Sequence, residues 1–275
     1  MLDNNKIHDF KETVWGHYNS QGRLLPWRQA VEDENFGYHV LVSELMLQQT
    51  QVNRVIEKYD NWLARFPTIN AVAAADLEDV LTLWVGLGYN RRAKYLLESC
   101  KIISKKYSGV IPKQVDELVQ LPGIGRNTAS AIAVYAYNVP LSFIETNIRT
   151  VFIYHFFSDK DHVSDTELMP IISATVDIHN PREWYWALMD YGTFLKNKVG
   201  NFSKKSAHYK KQSKFEGSRR QLRAKIVREL IGKTMSRNEL IELCSNDTRI
   251  NEVLNELISE KIINKTGVKY NIFNH

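Results

Sequence analysis

The chain has 275 residues, 44% hydrophobic and 24% charged, with a formal net charge of +5. That supports one large core or two small ones and excludes a disordered polyelectrolyte. Two cysteines, Cys100 and Cys244, exclude a disulfide framework and cannot supply the four thiolates of an iron–sulfur cluster or a cysteine-rich zinc site; the eight histidines lack metal-ligand spacing.

Read in chain order, the first 195 residues are expected to be almost wholly helical. Apolar residues recur at helical spacing over 9–19, and residues 40–66 hold two helices' worth of pattern ending at Pro67. Residues 71–83 and 91–107 each read as one helix, separated by the Gly86-Leu87-Gly88 break, and 147–157 and 182–195 continue the series. Period-two alternation is scarce, so no sheet is expected in this part. The N-terminus is polar and no run approaches a membrane span, so a soluble, cytoplasmic or nucleoid-associated protein without a membrane partner is expected.

Composition changes after residue 195. From Lys196 to Arg228 there are twelve Lys or Arg against one acid, Glu216. Such a run reads as a solvated linker, but Phe202, Tyr209 and Phe215 interrupt it, which favours an arm lying on phosphates through Lys204, Lys205, Lys210 and Lys211. Three helices follow, over 221–231, from Ser236 (with Glu239 completing a capping box) and over 248–261, and then a hairpin turning at Gly267. This is the order of a winged helix. Its third helix carries Asp247, Glu252, Glu256 and Glu260, a charge unsuited to the major groove. The expected division is therefore 1–195, a basic linker or arm over 196–217, and a winged-helix-like domain over 218–275.

Leu121-Pro122-Gly123-Ile124-Gly125-Arg126 lies between a short amphipathic helix over 114–120 and an alanine-rich helix over 127–137. Glycine reaches positive φ freely, so Gly-Ile-Gly makes a tight turn and the whole a helix–hairpin–helix. Its unpaired N–H groups, at the positive end of a helix dipole, suit a phosphate without reading a base. A helical turn of no further function has the same pattern. Two acids bracket this motif. Glu44 sits in the apolar run Val40–Leu47, where it is either on an exposed stripe or desolvated, with a proton held near neutrality. Glu145 opens the helix over 147–157, where a carboxylate also simply favours the dipole.

These residues, with Leu25-Pro26-Trp27-Arg28, Val42-Ser43-Glu44-Leu45-Met46-Leu47-Gln48-Gln49-Thr50-Gln51-Val52, Arg65-Phe66-Pro67-Thr68, Leu83-Trp84-Val85-Gly86-Leu87-Gly88-Tyr89 and Ala187-Leu188-Met189-Asp190-Tyr191-Gly192, resemble the helix–hairpin–helix (HhH-GPD) DNA glycosylase superfamily, most closely its MutY-like adenine glycosylases. The resemblance covers roughly residues 10–195. It implies an all-α, two-lobed helical glycosylase fold, followed here by a small winged-helix-like (α+β) domain, and a monomer acting on double-stranded DNA with a mismatched or damaged base. In that scheme Glu44 protonates a ring nitrogen of the flipped base and Glu145 stabilises the oxocarbenium-like sugar. Arg23, Trp27, Arg28, Asn127 and Asp190 belong to the base pocket. Gln48, Gln49, Thr50, Tyr89, Leu121, Gly123, Gly125, Arg126 and Asn147 contact the duplex. No cofactor is required, and a monovalent cation at the hairpin carbonyls is a family expectation.

Three departures stand out. Glu145 occupies a position where the family has Asp, one methylene shorter. Asn127 replaces the lysine of lyase members, so no Schiff base and a monofunctional enzyme are expected. The family's four-cysteine cluster and its 8-oxoguanine-reading domain are replaced by the basic segment and the winged helix. The leading reading is adenine excision opposite G or 8-oxoguanine in base excision repair. Its rivals are a thymine or uracil mismatch glycosylase, a non-catalytic mismatch or DNA-structure binder, and a winged-helix regulator.

Overall fold

A computed structural model describes residues 4–273. Helices α1 (Asn4–Gln21), α2 (Pro26–Gln29), α3 (Phe36–Leu47), α4 (Val52–Arg65), α5 (Ile69–Ala73), α6 (Leu77–Trp84), α7 (Arg91–Lys106), α8 (Val115–Leu118), α9 (Arg126–Tyr137), α10 (Thr146–Phe156), α11 (Asp165–Thr175) and α12 (Pro181–Lys198) precede a 3-10 turn, Phe202–Lys205. Then come α13 (Arg219–Leu230), β1 (Met235–Ser236), α14 (Arg237–Leu243), α15 (Ile250–Ser259), β2 (Ile263–Thr266) and β3 (Lys269–Ile272).

Local chemistry sets most of these boundaries. The single helix expected over 71–83 is two, α5 and α6, because the chain restarts twice. The Thr68 hydroxyl accepts from Ala71 N at 3.2 Å, and Asp76 opens α6 in an extended conformation. Helix α11 was not expected from the sequence. It begins with a capping box in which Ser164 and Glu167 bond reciprocally, a Ser-x-x-Glu signal present in the chain, and it tolerates Pro170 inside it. The Ser236–Glu239 box forms as expected.

The chain packs as two compact units. One comprises the residues up to Val40, Lys113–Val119 and Ile124–Lys211; the other comprises Leu41–Pro112, Gln120–Gly123 and the residues from Gln212 on. In the first, α12 packs on α1, α9 and α10. Phe10 lies 5.1 Å from both Phe152 and Phe156, and Phe143 stacks on Tyr185 at 4.1 Å. Helices α10 and α12 approach closely at Gly192, where an added Cβ would lie 2.6 Å from the Asn147 carbonyl oxygen. The basic segment is ordered at its start. Helix α12 continues to Lys198, Phe202 meets Tyr154 edge-on at 5.1 Å, and Val163 exchanges backbone hydrogen bonds with Lys205 and Ala207. Residues 207–217 are exposed.

In the second unit, α7 packs on α5 and α6 around Trp62 and Trp84, both fully buried, with rings 5.8 Å apart. Removing either ring would cost about 3–5 kcal/mol. Helices α13, α14 and α15 accompany an antiparallel sheet of order β1-β3-β2, with Ile263 opposite Ile272 and Met235 opposite Tyr270. The hairpin is thus joined by a third short strand, β1, immediately before α14. The acids expected to burden the third helix are internally paired. Arg219 reaches Glu252 and Glu256, and Arg223 reaches Glu256 and Glu260. Arg91 also pairs with Glu260, and Asp247, which precedes α15, binds Arg249.

Candidate functional site

Helix α3 is apolar on all sides, and every residue from Val40 to Met46 is buried except Glu44, which is half-buried. A carboxyl at the one incompletely buried position of such a helix is neither on an open stripe nor sealed off. The helix ends at Leu47, and Gln49 then adopts a left-handed φ of 55°. Across the turn after α6, Tyr89 does the same, with φ 50°. Non-glycine residues in this region are uncommon and must be held there by their surroundings.

Arg92, which no pattern in the sequence singles out, holds both turns. Its guanidinium is buried and donates to the Leu45 and Met46 carbonyls at the end of α3 (2.7 and 2.9 Å). It also donates to Leu87 O and Gly88 O (2.9 Å each) and to the Thr50 hydroxyl (3.0 Å). Burial lowers its pKa to about 10, so it stays protonated at neutral pH. Five acceptors around one fork tie the Gln48-Gln49-Thr50 turn to the Gly88-Tyr89 turn. Thr50 is therefore engaged within the chain. The Arg92 guanidinium carbon also lies 5.6 Å from the Tyr89 ring centroid. Sequence inspection offers no signal for this arginine, because its acceptors are main-chain carbonyls remote in the chain.

In the other unit, Glu145 is the N-cap of α10, and its Oε1 accepts from Asn147 N (2.8 Å) and Ile148 N (3.2 Å). Desolvation pushes its carboxyl up, against these N–H groups and the Arg149 charge, which favour the ionised form. Asn147 lies in the first turn of α10, half-buried against Gly192.

The structure brings Arg23, Arg28 and Asp190 together. Arg28 makes two 2.9 Å bonds to the two Asp190 oxygens, and Arg23 adds its main-chain N (2.8 Å) and its Nε (2.7 Å). The Asp190 side chain is 1% exposed and that of Arg28 7%. Burial alone would raise the Asp190 carboxyl, but the Arg28 and Arg23 bonds and charges together hold it below the usual carboxylate range. These groups, expected to line a pocket, spend their hydrogen bonds on one another. Arg28 also lies over the Trp186 ring at 5.4 Å, and Trp27 is buried beside it in α2.

The hairpin divides its glycines between two tasks. Only Gly123 has positive φ (75°), and a Cβ there would fall 2.5 Å from the Tyr95 ring. Gly125 is extended and caps α9 with no side-chain bond to the helix's first N–H groups. Gly125, Arg126 and Asn127 are exposed, so the first turn of α9 is open to an anion. Leu121, expected among the duplex contacts, is buried, so its side chain packs inside the hairpin and only its main chain is left to meet a duplex. Arg126 forms an exposed pair with Asp116 at 3.1 Å, worth little. In the basic segment, Lys205 donates to Ser158 O at 2.9 Å, whereas Lys204, Lys210 and Lys211 are exposed.

Among the described residues no group of three or more His, Cys, Asp or Glu could hold a metal ion. Cys100 and Cys244, the two cysteines of the chain, are both buried, and they do not fit an iron–sulfur cluster.

Residues 42–171 match the family described as HhH-GPD superfamily base excision DNA repair protein. An adenine DNA glycosylase of Buchnera aphidicola is 37% identical over 190 residues, which cover 68% of this chain and 53% of the relative. The Mycolicibacterium smegmatis adenine DNA glycosylase is 40% identical over 157 residues (57% and 53%), and the human one 35% over 195 residues (68% and 36%). The chain spans about half the length of the first two and about a third of the human one. Among solved structures, a thermostable thymine-DNA glycosylase superposes with a TM-score of 0.63 at 20% identity, covering 72% of this chain and 91% of that one. A DNA-bound endonuclease III superposes at 0.56 and 21% identity, covering 71% and 86%. At those identities the likeness concerns the fold.

Proposed function

Since this chain belongs to the HhH-GPD superfamily, in its MutY-like branch, we propose that it is a monofunctional DNA glycosylase that removes adenine mispaired with guanine or 8-oxoguanine in base excision repair. The observation that carries the reading is the Glu44 helix. It presents a half-buried carboxyl in an otherwise buried run, and Arg92 pins the end of that helix to the Gly88 carbonyl in the neighbouring turn.

The hairpin N–H groups hold a phosphate of the duplex, the Gln48–Gln49 and Tyr89 turns enter the base stack, and one nucleotide is extruded. Glu44 donates its proton to a ring nitrogen of the flipped base. The bond between that base and the sugar then breaks with its electron pair leaving on the base. The cationic sugar is stabilised by ionised Glu145 until water adds to its anomeric carbon and gives up a proton to the Glu44 carboxylate, which restores the acid for the next turnover. The two oxygens of Glu145 divide the work: Oε1 caps α10 and Oε2 serves the sugar. Products are a free base and an abasic site. Asn127 carries no amine, so the abasic strand stays intact and no lyase step follows.

Labelled duplexes with A:8-oxoG, A:G, T:G and U:G, incubated with the protein and then treated with alkali, test this reading. Strand cleavage at A only after alkali is the expected result. Cleavage at T or U would move the protein to the pyrimidine-excising glycosylases, and cleavage without alkali would refute the monofunctional assignment.

A further inference from the structure

The β2–β3 hairpin differs in charge from the helices before it. From Lys261 to Phe273 there are three lysines, Lys261, Lys265 and Lys269, and no Asp or Glu. The two strands pair from Ile263–Ile272 to Thr266–Lys269, and the two residues Gly267 and Val268 make the turn. Gly267 has φ 61°, which a tight hairpin turn needs at its first central position. Residues opposite one another in an antiparallel pair share a face. Ile263, Lys265, Tyr270 and Ile272 therefore lie on the inner face, and Asn264, Thr266, Lys269 and Asn271 on the outer one. Tyr270 and the two isoleucines are buried. Lys265 stays exposed, with its ammonium 5.8 Å from the Tyr270 ring centroid.

Three observations mark the tip of this hairpin as a contact surface. Val268 is 73% exposed, an aliphatic side chain held in water at the turn itself. Just behind it an exposed lysine stands on each face, Lys265 on the inner and Lys269 on the outer. Glu239, the carboxylate whose charge meets that of Lys269, is taken up by the Ser236 capping box. Lastly, α15 is poorly equipped to meet a polyanion. Glu252, Glu256 and Glu260 are held by Arg219, Arg223 and Arg91, and the other exposed positions of the helix, Asn251, Asn255 and Ser259, bring no cation.

We propose that the β2–β3 hairpin is a separate duplex-binding element, in which Val268 enters the minor groove and Lys265 and Lys269 reach phosphates on the two strands that wall it. The minor groove is about 6 Å wide and takes a two-residue turn with one aliphatic side chain. With the plane of the ribbon along the groove, cations on its opposite faces meet opposite walls. Lysine is a flexible point charge and valine makes no hydrogen bond, so the contact is blind to sequence and to the lesion. It adds affinity for any duplex, whereas recognition of the excised base belongs to other residues. The inference rests on the glycosylase reading for DNA as the partner, but its test has readouts that need no excision.

Binding of the full chain to a long, fully paired duplex and to the same duplex with one A:8-oxoG pair is measured over a salt series, with hydroxyl-radical footprints of both complexes. The double variant Lys265→Gln, Lys269→Gln is expected to bind both duplexes more weakly by the same factor, about tenfold, and to lower the salt slope by about two. Its footprint should lose one protected minor-groove segment and keep the rest. Val268→Ser is expected to weaken both complexes a few-fold with the slope unchanged, and wild-type affinity in that variant would refute groove entry. An unchanged slope and footprint in the double variant would overturn the proposal and leave this surface to a protein partner. A loss confined to the A:8-oxoG duplex would also overturn it, by placing the lysines at the lesion. Circular dichroism checks each fold, and Lys269→Gln alone, on the polar outer face, carries the test if loss of the Lys265 stem disturbs Tyr270. If both duplexes are bound through the hairpin but no base is excised, the glycosylase reading fails while the hairpin contact stands.

Discussion

At the scale of single residues, the two carboxyls of the first unit answer burial in opposite ways. Asp190 is held ionised by Arg28 and Arg23, so its contribution to stability is present above its unfolded pKa and is lost as pH falls through the lower folded value. Asp190→Asn leaves the Arg28 charge buried without its partner and should destabilise the protein by about 3–5 kcal/mol in urea unfolding. A cost under about 1 kcal/mol would show that the cluster is solvated. Glu145 has the opposite sign. Its folded pKa is raised by desolvation, so its contribution is full below the unfolded pKa and is lost as pH rises through the folded one. Wild-type stability relative to Glu145→Gln should therefore decline as pH climbs above the usual carboxylate range. A flat difference across that range would contradict the burial of the group. In the proposed reaction Glu145 must be ionised, so the acid limb of activity should also lie above that range.

At the scale of elements, the hairpin offers a sharp contrast between two glycines that stand two positions apart and differ in their demands. Gly123 has positive φ and the Tyr95 ring at its missing Cβ, whereas Gly125 has ordinary φ and open space. Gly123→Ala should lower the thermal midpoint clearly, by the order of 1–3 kcal/mol in stability. Gly125→Ala should fold as wild type and weaken duplex binding, because the new methyl stands where a phosphate would approach. Equal effects on melting would contradict this division. Both glycines were legible in the sequence as a turn, but their different tasks were not, since those depend on Tyr95 from another helix. The Ser236–Glu239 box was legible because capping is local chemistry. The split of residues 71–83 and helix α11 are not carried by apolar periodicity; they rest on the Thr68 and Ser164 caps.

At the scale of the whole molecule, charge needed the structure to be interpreted. The acids of α15 look hostile to DNA in sequence, yet Arg219, Arg223 and Arg91 pair with them, which removes both signs from the surface account. The basic excess of the 196–228 run then rests on lysines such as Lys204, Lys210 and Lys211. Glu44 and its helix were legible because a lone acid in an apolar run is conspicuous. The Arg92 contribution was not, because it acts across long stretches of chain on turns whose backbone geometry the sequence does not display. The account assigns chemistry to Glu44 and shape to Arg92, and these should separate experimentally.

The most direct test is a paired measurement on Glu44→Gln, an isosteric change that removes the transferable proton. Single-turnover excision from an A:8-oxoguanine duplex and affinity for the same duplex would be followed together. The account predicts excision reduced at least about a hundredfold with affinity within a few-fold of wild type. Excision that persists in Glu44→Gln at the wild-type rate would contradict it.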